Sequence, residues 1–334
     1  MSRCIYCLDP LVPKKAGESP KNPSLEHVVP WSLGGSNACA TEEACCECNG
    51  KLGETVDSNC INQSIVSTYR HEFGIVGHGG TIPDIVLNVR SLDTNEPGLI
   101  TIPYNGDISI EHKPVVIRQP KRNSEQILVA GSRKQVRNIM EGIEAKARKR
   151  GDRVTDTAGE EIDIDTAIAS AIAEISTQYR IDWDYEMPPI WRELVKVAFG
   201  FGHLTLGWRW TESQRAEAMR RVARGIGDWR ELEALIEGIR PEIRSILPPA
   251  ENGRTTDHLI CLMVLEKPII VVSLFGSQLL SIAVRLDVDT DMLIEGLVET
   301  GRQMVTIDPR TRRSKWVGTQ ELVAYFETNR RTDS

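Results

Sequence analysis

A chain of 334 residues is long enough for about two domains with real apolar cores. Hydrophobic residues make up 40% of it and charged residues 26%, the balance of an ordinary globular protein, and no apolar run approaches the about 20 residues of a membrane span. The net charge of −7 excludes a broadly basic nucleic-acid binder but leaves room for local basic faces. The N-terminus is polar and opens straight into Cys4, without a signal peptide's apolar region, so a cytoplasmic protein is expected.

Residues 1–60 are rich in Cys, Gly, Pro and Asn, a composition that builds no large core and needs a metal staple to fold. Cys4 and Cys7 are expected on a tight knuckle, and Lys14 to Pro23 reads as an exposed loop. Leu25 to Val29 is short, β-branched and bounded by turns, hence a strand; Gly34-Gly35 turns the chain back, and Cys45 to Leu52 begins a helix that runs with interruptions towards Tyr69.

Phe73 to Gly80 is glycine-rich and reads as a linker. Strands are expected at Asp84 to Arg90, Gly98 to Ile102, Ile108 to His112 and Val115 to Arg118, with a hairpin turn at Asn105-Gly106. Arg133 to Arg153 reads as a basic helix. Ile164, Ile168, Ile172, Ile175 and Tyr179 recur near helical spacing, and a further helix after Pro189 carries Trp191, Leu194, Val195, Ala198 and Phe201 on one face. Thr211 to Ile239 is expected to be helical with interruptions at Gly225 and Gly227. Three apolar strand-like runs, Leu259 to Leu265, Ile269 to Phe275 and Leu280 to Leu286, close the pattern. The segregation of strand and helix runs predicts an α+β fold: a small zinc-stapled N-terminal domain at 1–70, a linker at 71–80, and a larger mixed α/β accessory domain at 81–334 with a possible sub-boundary near 248–254.

Seven of the eight cysteines lie before residue 61, too few and too clustered for a disulfide scaffold of this length. Cys4-x2-Cys7 and Cys45-x2-Cys48 form two CxxC pairs, and each lets two sulfurs reach one tetrahedral Zn²⁺ from a single turn. Cys39, Cys46 and Cys60 are spare; Cys46 is a poorer partner for Cys48 than Cys45 is. Zinc alone defines only a binding module, but Glu26-His27 lies between the two halves of the clamp. Neighbouring strand residues point to opposite faces, so an acid and a histidine used at one site require a local distortion.

Leu25-Glu26-His27-Val28-Val29-Pro30-Trp31-Ser32-Leu33-Gly34-Gly35, followed by Cys45-x2-Cys48-Asn49-x-Lys51-Leu52-Gly53 and Asp57, resembles the HNH endonucleases, and within them the subgroup with paired CxxC knuckles around a ββα-metal fold. The resemblance covers roughly residues 4 to 60. It implies His27 as general base, Glu26 as first ligand of a catalytic Mg²⁺ or Mn²⁺, and Asn49 as second ligand. The family's middle Asn falls where this chain has Ala40, and Asn37 is the nearest candidate; Asp57 takes the place of an acid that supports the metal. Products with 5′-phosphate and 3′-hydroxyl ends are implied too.

The residue types suit phosphodiester hydrolysis: a histidine titrating near pH 6.5 accepts a proton from water, and Mg²⁺ prefers few protein ligands and several waters. The first sixty residues carry five basic and eight acidic side chains, so the head alone holds duplex DNA weakly. Arg133 to Arg153, with eight basic residues against three acids, and Arg302 to Lys315, with five against one, offer phosphate contacts or are solvated faces. His71, His78, His112, His203 and His258 show no ligand spacing and read as structural. The expected partner is nucleic acid, DNA before RNA, with no membrane; the accessory domain leaves open a homo-oligomer or a regulatory ligand. Two rivals stand beside the nuclease: a catalytically silent zinc adaptor for nucleic acid or protein, and a defence nuclease gated by its accessory domain.

Overall fold

The computed structural model describes residues 2–318 apart from 93–94, 96, 113, 122–123, 157–158, 171–177, 184, 238–256 and 265. The knuckle comes first. Leu8 N–H donates to the Cys4 carbonyl (2.8 Å) with Leu8 in the left-handed region (φ 62°), and a bridge between Arg3 and Pro10 closes the turn. Strands β1 (Pro23–His27) and β2 (Ala40–Cys45) then pair antiparallel. Their register slips between Ser24 and Glu26: two steps along β1 are matched by three along β2, from Ala44 to Thr41. This bulge is the distortion that a neighbouring acid and histidine require, since an extra residue re-aims side chains next to it.

Between the strands, Trp31–Leu33 forms one 3₁₀ turn. Gly34 follows in the left-handed conformation (φ 89°), and a Cβ at Gly35 would lie 1.8 Å from the Val29 carbonyl oxygen, so the Gly34-Gly35 pair is required by backbone geometry. A second 3₁₀ turn, Asn37–Cys39, is capped by Ser36, whose hydroxyl accepts from Ala38 N–H (3.3 Å). Helix α1 (Cys46–Leu52) begins at Cys45, whose sulfur accepts from Cys48 N–H (3.4 Å). A π-helical turn at Gly53–Asp57 leads into α2 (Ser58–Ile61), and α3 (Ser64–Glu72) follows. Strand, strand and helix make the ββα unit.

The chain contacts divide into two units, 1–83 with 185–334, and Asp84–Asp184. The second unit contains a four-stranded antiparallel sheet of β3 (Ile85–Ser91), β4 (Pro97–Ile102), β5 (Ser109–His112) and, later in the chain, β8 (Tyr179–Asp182), in the order β5-β4-β3-β8. Strands β6 (Val115–Lys121) and β7 (Ser124–Ala130) form a separate hairpin. The basic helix α4 (Arg133–Arg150) is capped by a Ser132–Gln135 box and ends at left-handed Gly151. Helix α5 is short, Ile164–Ser170; Tyr179, expected at the end of that helix, instead pairs with Ser91 on β3, while Ile172 and Ile175 lie outside the described residues.

The chain then returns to the first unit. Helix α6 (Met187–Thr211) starts with Pro188-Pro189 in its first turn and kinks at Gly207. It is buried on all sides along most of its length rather than on the single face expected, because it runs through the middle of the unit. Its Gly200 lets it approach the end of β1: a Cβ there would lie 3.2 Å from Val28 Cγ2. Helices α7 (Gln214–Ala223) and α8 (Trp229–Leu235) follow, broken near Gly225 and Gly227 as expected. A six-stranded antiparallel sheet completes the unit: β9 (Ile236–Glu237), β10 (His258–Val264), β11 (Pro268–Ser273), β12 (Ser281–Arg285), β13 (Met304–Ile307) and β14 (Ser314–Val317), in the order β14-β13-β10-β11-β12-β9, with α9 (Thr290–Thr300) between β12 and β13. Alternate residues such as Ile260, Leu262, Ile270, Val272, Ile282 and Val305 face the core that also holds the zinc-knuckle residues Ile5 and Tyr6.

This partition cuts across the expected division at 70–80: residues 185–318 pack with the N-terminal head, and the 248–254 sub-boundary lies outside the described residues. The C-terminal sheet grips the loop between β1 and β2. His258 Nε2 donates to the Leu33 carbonyl (2.8 Å), Trp316 Nε1 to that of Ala38 (3.0 Å) and Arg312 to those of Trp31 (3.2 Å) and Val76 (2.7 Å).

Candidate metal centre and active site

The sulfurs of Cys4, Cys7, Cys45 and Cys48 all lie within 4.8 Å of one another, with Cys7 and Cys45 3.9 Å apart. Four thiolates on one tetrahedral Zn²⁺ at 2.3 Å stand about 3.8 Å apart, so the donor set and spacing fit zinc. The backbone N–H of Cys45 donates to Cys4 Sγ (3.3 Å) and Lys21 Nζ to Cys7 Sγ (3.6 Å), contacts that favour thiolate. A hydrogen bond from Cys48 draws the Cys4 thiol down to about 4, while burial raises Cys7 to about 11. Four sulfurs this close resist ionising together unless a cation shares their charge. Of the spare cysteines, Cys39 and Cys60 are buried and Cys46 is exposed.

His27 sits at the end of β1. Its Nε2 donates to Asn37 Oδ1 (2.8 Å), leaving Nδ1 as the basic nitrogen. Burial holds its pKa below the usual histidine value, with the fields of His78, Lys196 and Arg312 adding to the depression. Trp31 packs beside it, ring centroids 5.3 Å apart, and Arg312 covers Trp31 at 3.6 Å. Asn37, Trp31 and His27 are thus one assembly held from behind by the C-terminal sheet.

His27, Glu26, Asn49 and Asp57 line a single cleft of about 350 Å³, together with Ser24, Trp31 and His78. Asn49 Nδ2 donates to Ser24 Oγ (2.8 Å) and the Leu25 carbonyl (3.0 Å). These bonds orient the amide and leave Oδ1 without a protein donor among the described residues. An amide oxygen and carboxylate oxygens are the hard donors that Mg²⁺ or Mn²⁺ takes, and the residues fit such an ion.

Glu26 is only 4% exposed, and Tyr6 and Lys196 both contact its Oε1 (3.1 Å each). Burial raises its pKa even against the pull of Lys196. Lys196 Nζ also reaches Asp57 Oδ1 (2.6 Å) and stands 3.8 Å from Glu193. Burial disfavours the ammonium, but Asp57, Glu193 and Glu26 outweigh it and hold Lys196 charged. Burial raises the pKa of Glu193 above the usual carboxylate value, against the pull of Lys196.

A second cleft of about 360 Å³ shares Trp31, Asn49, Asp57 and His78 with the first and extends it to Arg70. Arg70 Nε donates to the Ser32 carbonyl (2.7 Å), and among the described residues no carboxylate lies within ion-pair distance of it. His78, expected to be structural, faces both clefts. His203 (bonded to Thr211 and Glu43) and His258 are indeed held in buried networks. The basic run at 302–315 is largely spent on packing: Arg302 lies over Trp316, Arg310 over Phe73 and Arg312 over Trp31.

The residues that sequence reasoning missed are Tyr6, Arg70, Glu193, Lys196 and Arg312. Glu193 and Lys196 left a signal, two charges three residues apart inside the apolar run from Ile190 to Phe201. Arg70 left none, and Arg312 was visible only as one member of the basic run from Arg302 to Lys315.

A ββα unit stapled by four clustered cysteines is the class of domain that this fold and site define. Residues 4–65 match the HNH endonuclease family, so the N-terminal head is an HNH domain, and the match points to nuclease activity on nucleic acid. No curated protein and no solved structure shows a significant match to the chain. No helix among the described residues is long and apolar enough to cross a membrane.

Proposed function

We propose that the protein is a metal-dependent endonuclease that hydrolyses phosphodiester bonds, with DNA as substrate, zinc at the four cysteines as a structural staple, and Mg²⁺ or Mn²⁺ held in the cleft by Glu26 and Asn49. The observation that carries this reading is the His27–Asn37 hydrogen bond at the edge of a cleft that Glu26 and Asn49 also line. Asn37 fixes the tautomer. Depressed below its usual value, His27 is neutral at pH 7 and its Nδ1 accepts a proton from water. The resulting hydroxide attacks phosphorus in line with the 3′-oxygen, the P–O3′ bond breaks, the departing oxygen takes a proton from a water molecule, and the products carry 5′-phosphate and 3′-hydroxyl. When bound, the divalent ion supplies Lewis-acid stabilisation of the phosphate and the departing oxygen. Arg70 and His78, along the extension of the cleft, contact flanking phosphates.

The test is nicking of supercoiled plasmid with Mg²⁺ or Mn²⁺ by wild type and His27→Ala, with zinc measured on both. Loss of about 10²–10⁴-fold in rate at equal zinc supports the reading, since that is the usual worth of a general base. Undiminished cleavage by His27→Ala overturns His27 as base. One observation favours the silent zinc adaptor instead: Lys196 already engages the carboxylate of Glu26. Wild type that holds zinc but neither cleaves nucleic acid nor takes up Mn²⁺ in the cleft is the result the adaptor requires.

A further inference from the structure

Lys196 comes from the middle of α6, and nothing in the HNH pattern assigns it. Its side chain is 1% exposed, inside a helix whose other buried residues are mostly apolar. A buried ammonium persists only where carboxylates compensate it. Here the compensation comes from two residues of the nuclease cleft: Nζ lies 2.6 Å from Asp57 Oδ1 and 3.1 Å from Glu26 Oε1. Glu193, one turn earlier on α6, stands 3.8 Å away with both carboxyl oxygens buried and without a hydrogen-bond partner. In two-metal nucleases, carboxylates bridge a pair of divalent ions about 4 Å apart. A cation touching two carboxylates at the floor of a cleft occupies the place such a second ion takes.

We propose that Lys196 is a positioning residue that stands in for a second metal ion. It holds Asp57 away from the catalytic ion and restricts the cleft to one divalent cation, bound through Glu26 and Asn49. This inference rests on the metal-dependent reading of the cleft. It changes what Asp57 does: the acid anchors the lysine and is not a ligand.

The experiment is Mn²⁺ binding by the full-length, zinc-loaded chain, followed by electron paramagnetic resonance and calorimetry, for wild type, Lys196→Met, Lys196→Arg and Asp57→Asn. Wild type and Lys196→Arg are expected to bind one Mn²⁺ per chain. Lys196→Met is expected to bind two, or to bind the first at least tenfold tighter, because two carboxylates lose their internal cation. Asp57→Asn, nearly isosteric and so a safeguard should Lys196→Met fail to fold, is expected to keep one Mn²⁺ with affinity within about threefold of wild type. One ion in wild type with Lys196→Met unchanged, or a tenfold or greater loss of affinity in Asp57→Asn, overturns the role of Lys196 alone. No Mn²⁺ in wild type or any variant overturns the metal-dependent reading, and this inference with it.

Discussion

Acid should loosen the grip of the C-terminal sheet on the catalytic loop through one residue, His258. Its ring is fully buried, Nε2 donates to the Leu33 carbonyl, and Nδ1 accepts from Phe275 N–H (3.1 Å), so only the neutral form satisfies both bonds. Burial depresses its pKa from 6.5 to about 4. The unfolded chain binds the proton near pH 6.5 and the folded chain only near 4. The stabilisation is therefore complete above pH 6.5 and is lost as pH falls from 6.5 towards 4. A difference of 2.5 units at 1.36 kcal/mol each comes to about 3.4 kcal/mol, of which about 2 kcal/mol is gone by pH 5. The assay is urea unfolding at pH 7.5 and pH 5.0 for wild type and His258→Gln. Buried carboxylates titrate in both proteins and cancel, so the fall in stability between the two pH values should be about 2 kcal/mol larger in wild type. Equal falls in the two proteins would refute the assignment of a buried neutral histidine.

Other expectations follow from the same geometry. Cys48→Ser should lose zinc and unfold the N-terminal head, since binding of a structural zinc is coupled to folding; zinc content and circular dichroism report both. Asn37→Ala should slow cleavage by up to about tenfold, the worth of one orienting hydrogen bond, while zinc content stays at wild-type level. Gly35→Ala should cost about 3 kcal/mol by overpacking against the Val29 carbonyl, read as a lower urea midpoint. Arg70→Gln should weaken binding of duplex DNA uniformly across sequences and reduce the slope of log K against log salt by about one, measured by fluorescence anisotropy with His27→Ala as background.

What could be read from sequence was what short spacing encodes. Each CxxC pair holds its two sulfurs on one turn, and two pairs point to four ligands at one metal site; the structure gathers all four sulfurs. The strand at Glu26-His27 and the helix that starts at Cys45 are local too, and the need for a distortion beside His27 followed from the period of a strand, with the bulge in β1–β2 as its source. The β-branched runs from His258 to Arg285 were plain for the same reason. Tyr179 was assigned to a helix because isoleucines upstream repeat at helical spacing, yet a tertiary partner, Ser91 on β3, draws it into a sheet. Helix α6 kept its apolar residues on every side, so a one-face pattern understated its burial, and the chemical meaning of Lys196 depends on contacts 139 and 170 positions away, which no local pattern carries.

Those long-range contacts bear on where the nuclease site begins and ends. The family match stops at residue 65, but the pieces that would do chemistry do not stop there. Glu26 is seated by Lys196, and glycine at residue 200 eases the close approach of Val28 to α6. The loop that presents Asn37 to His27 is bonded from behind at Leu33 by His258, at Trp31 by Arg312 and at Ala38 by Trp316. The four-cysteine cluster joins the knuckle to α1. Without α6 and the C-terminal sheet, Glu26 would lose its counter-ion and the loop its three anchoring donors. A side chain that must keep a close geometry needs the partner that orients it fixed as well, and here that partner, Asn37, lies on the anchored loop. The described parts of α6 and of the C-terminal sheet therefore help to build the candidate site, which extends beyond the residues of the family match.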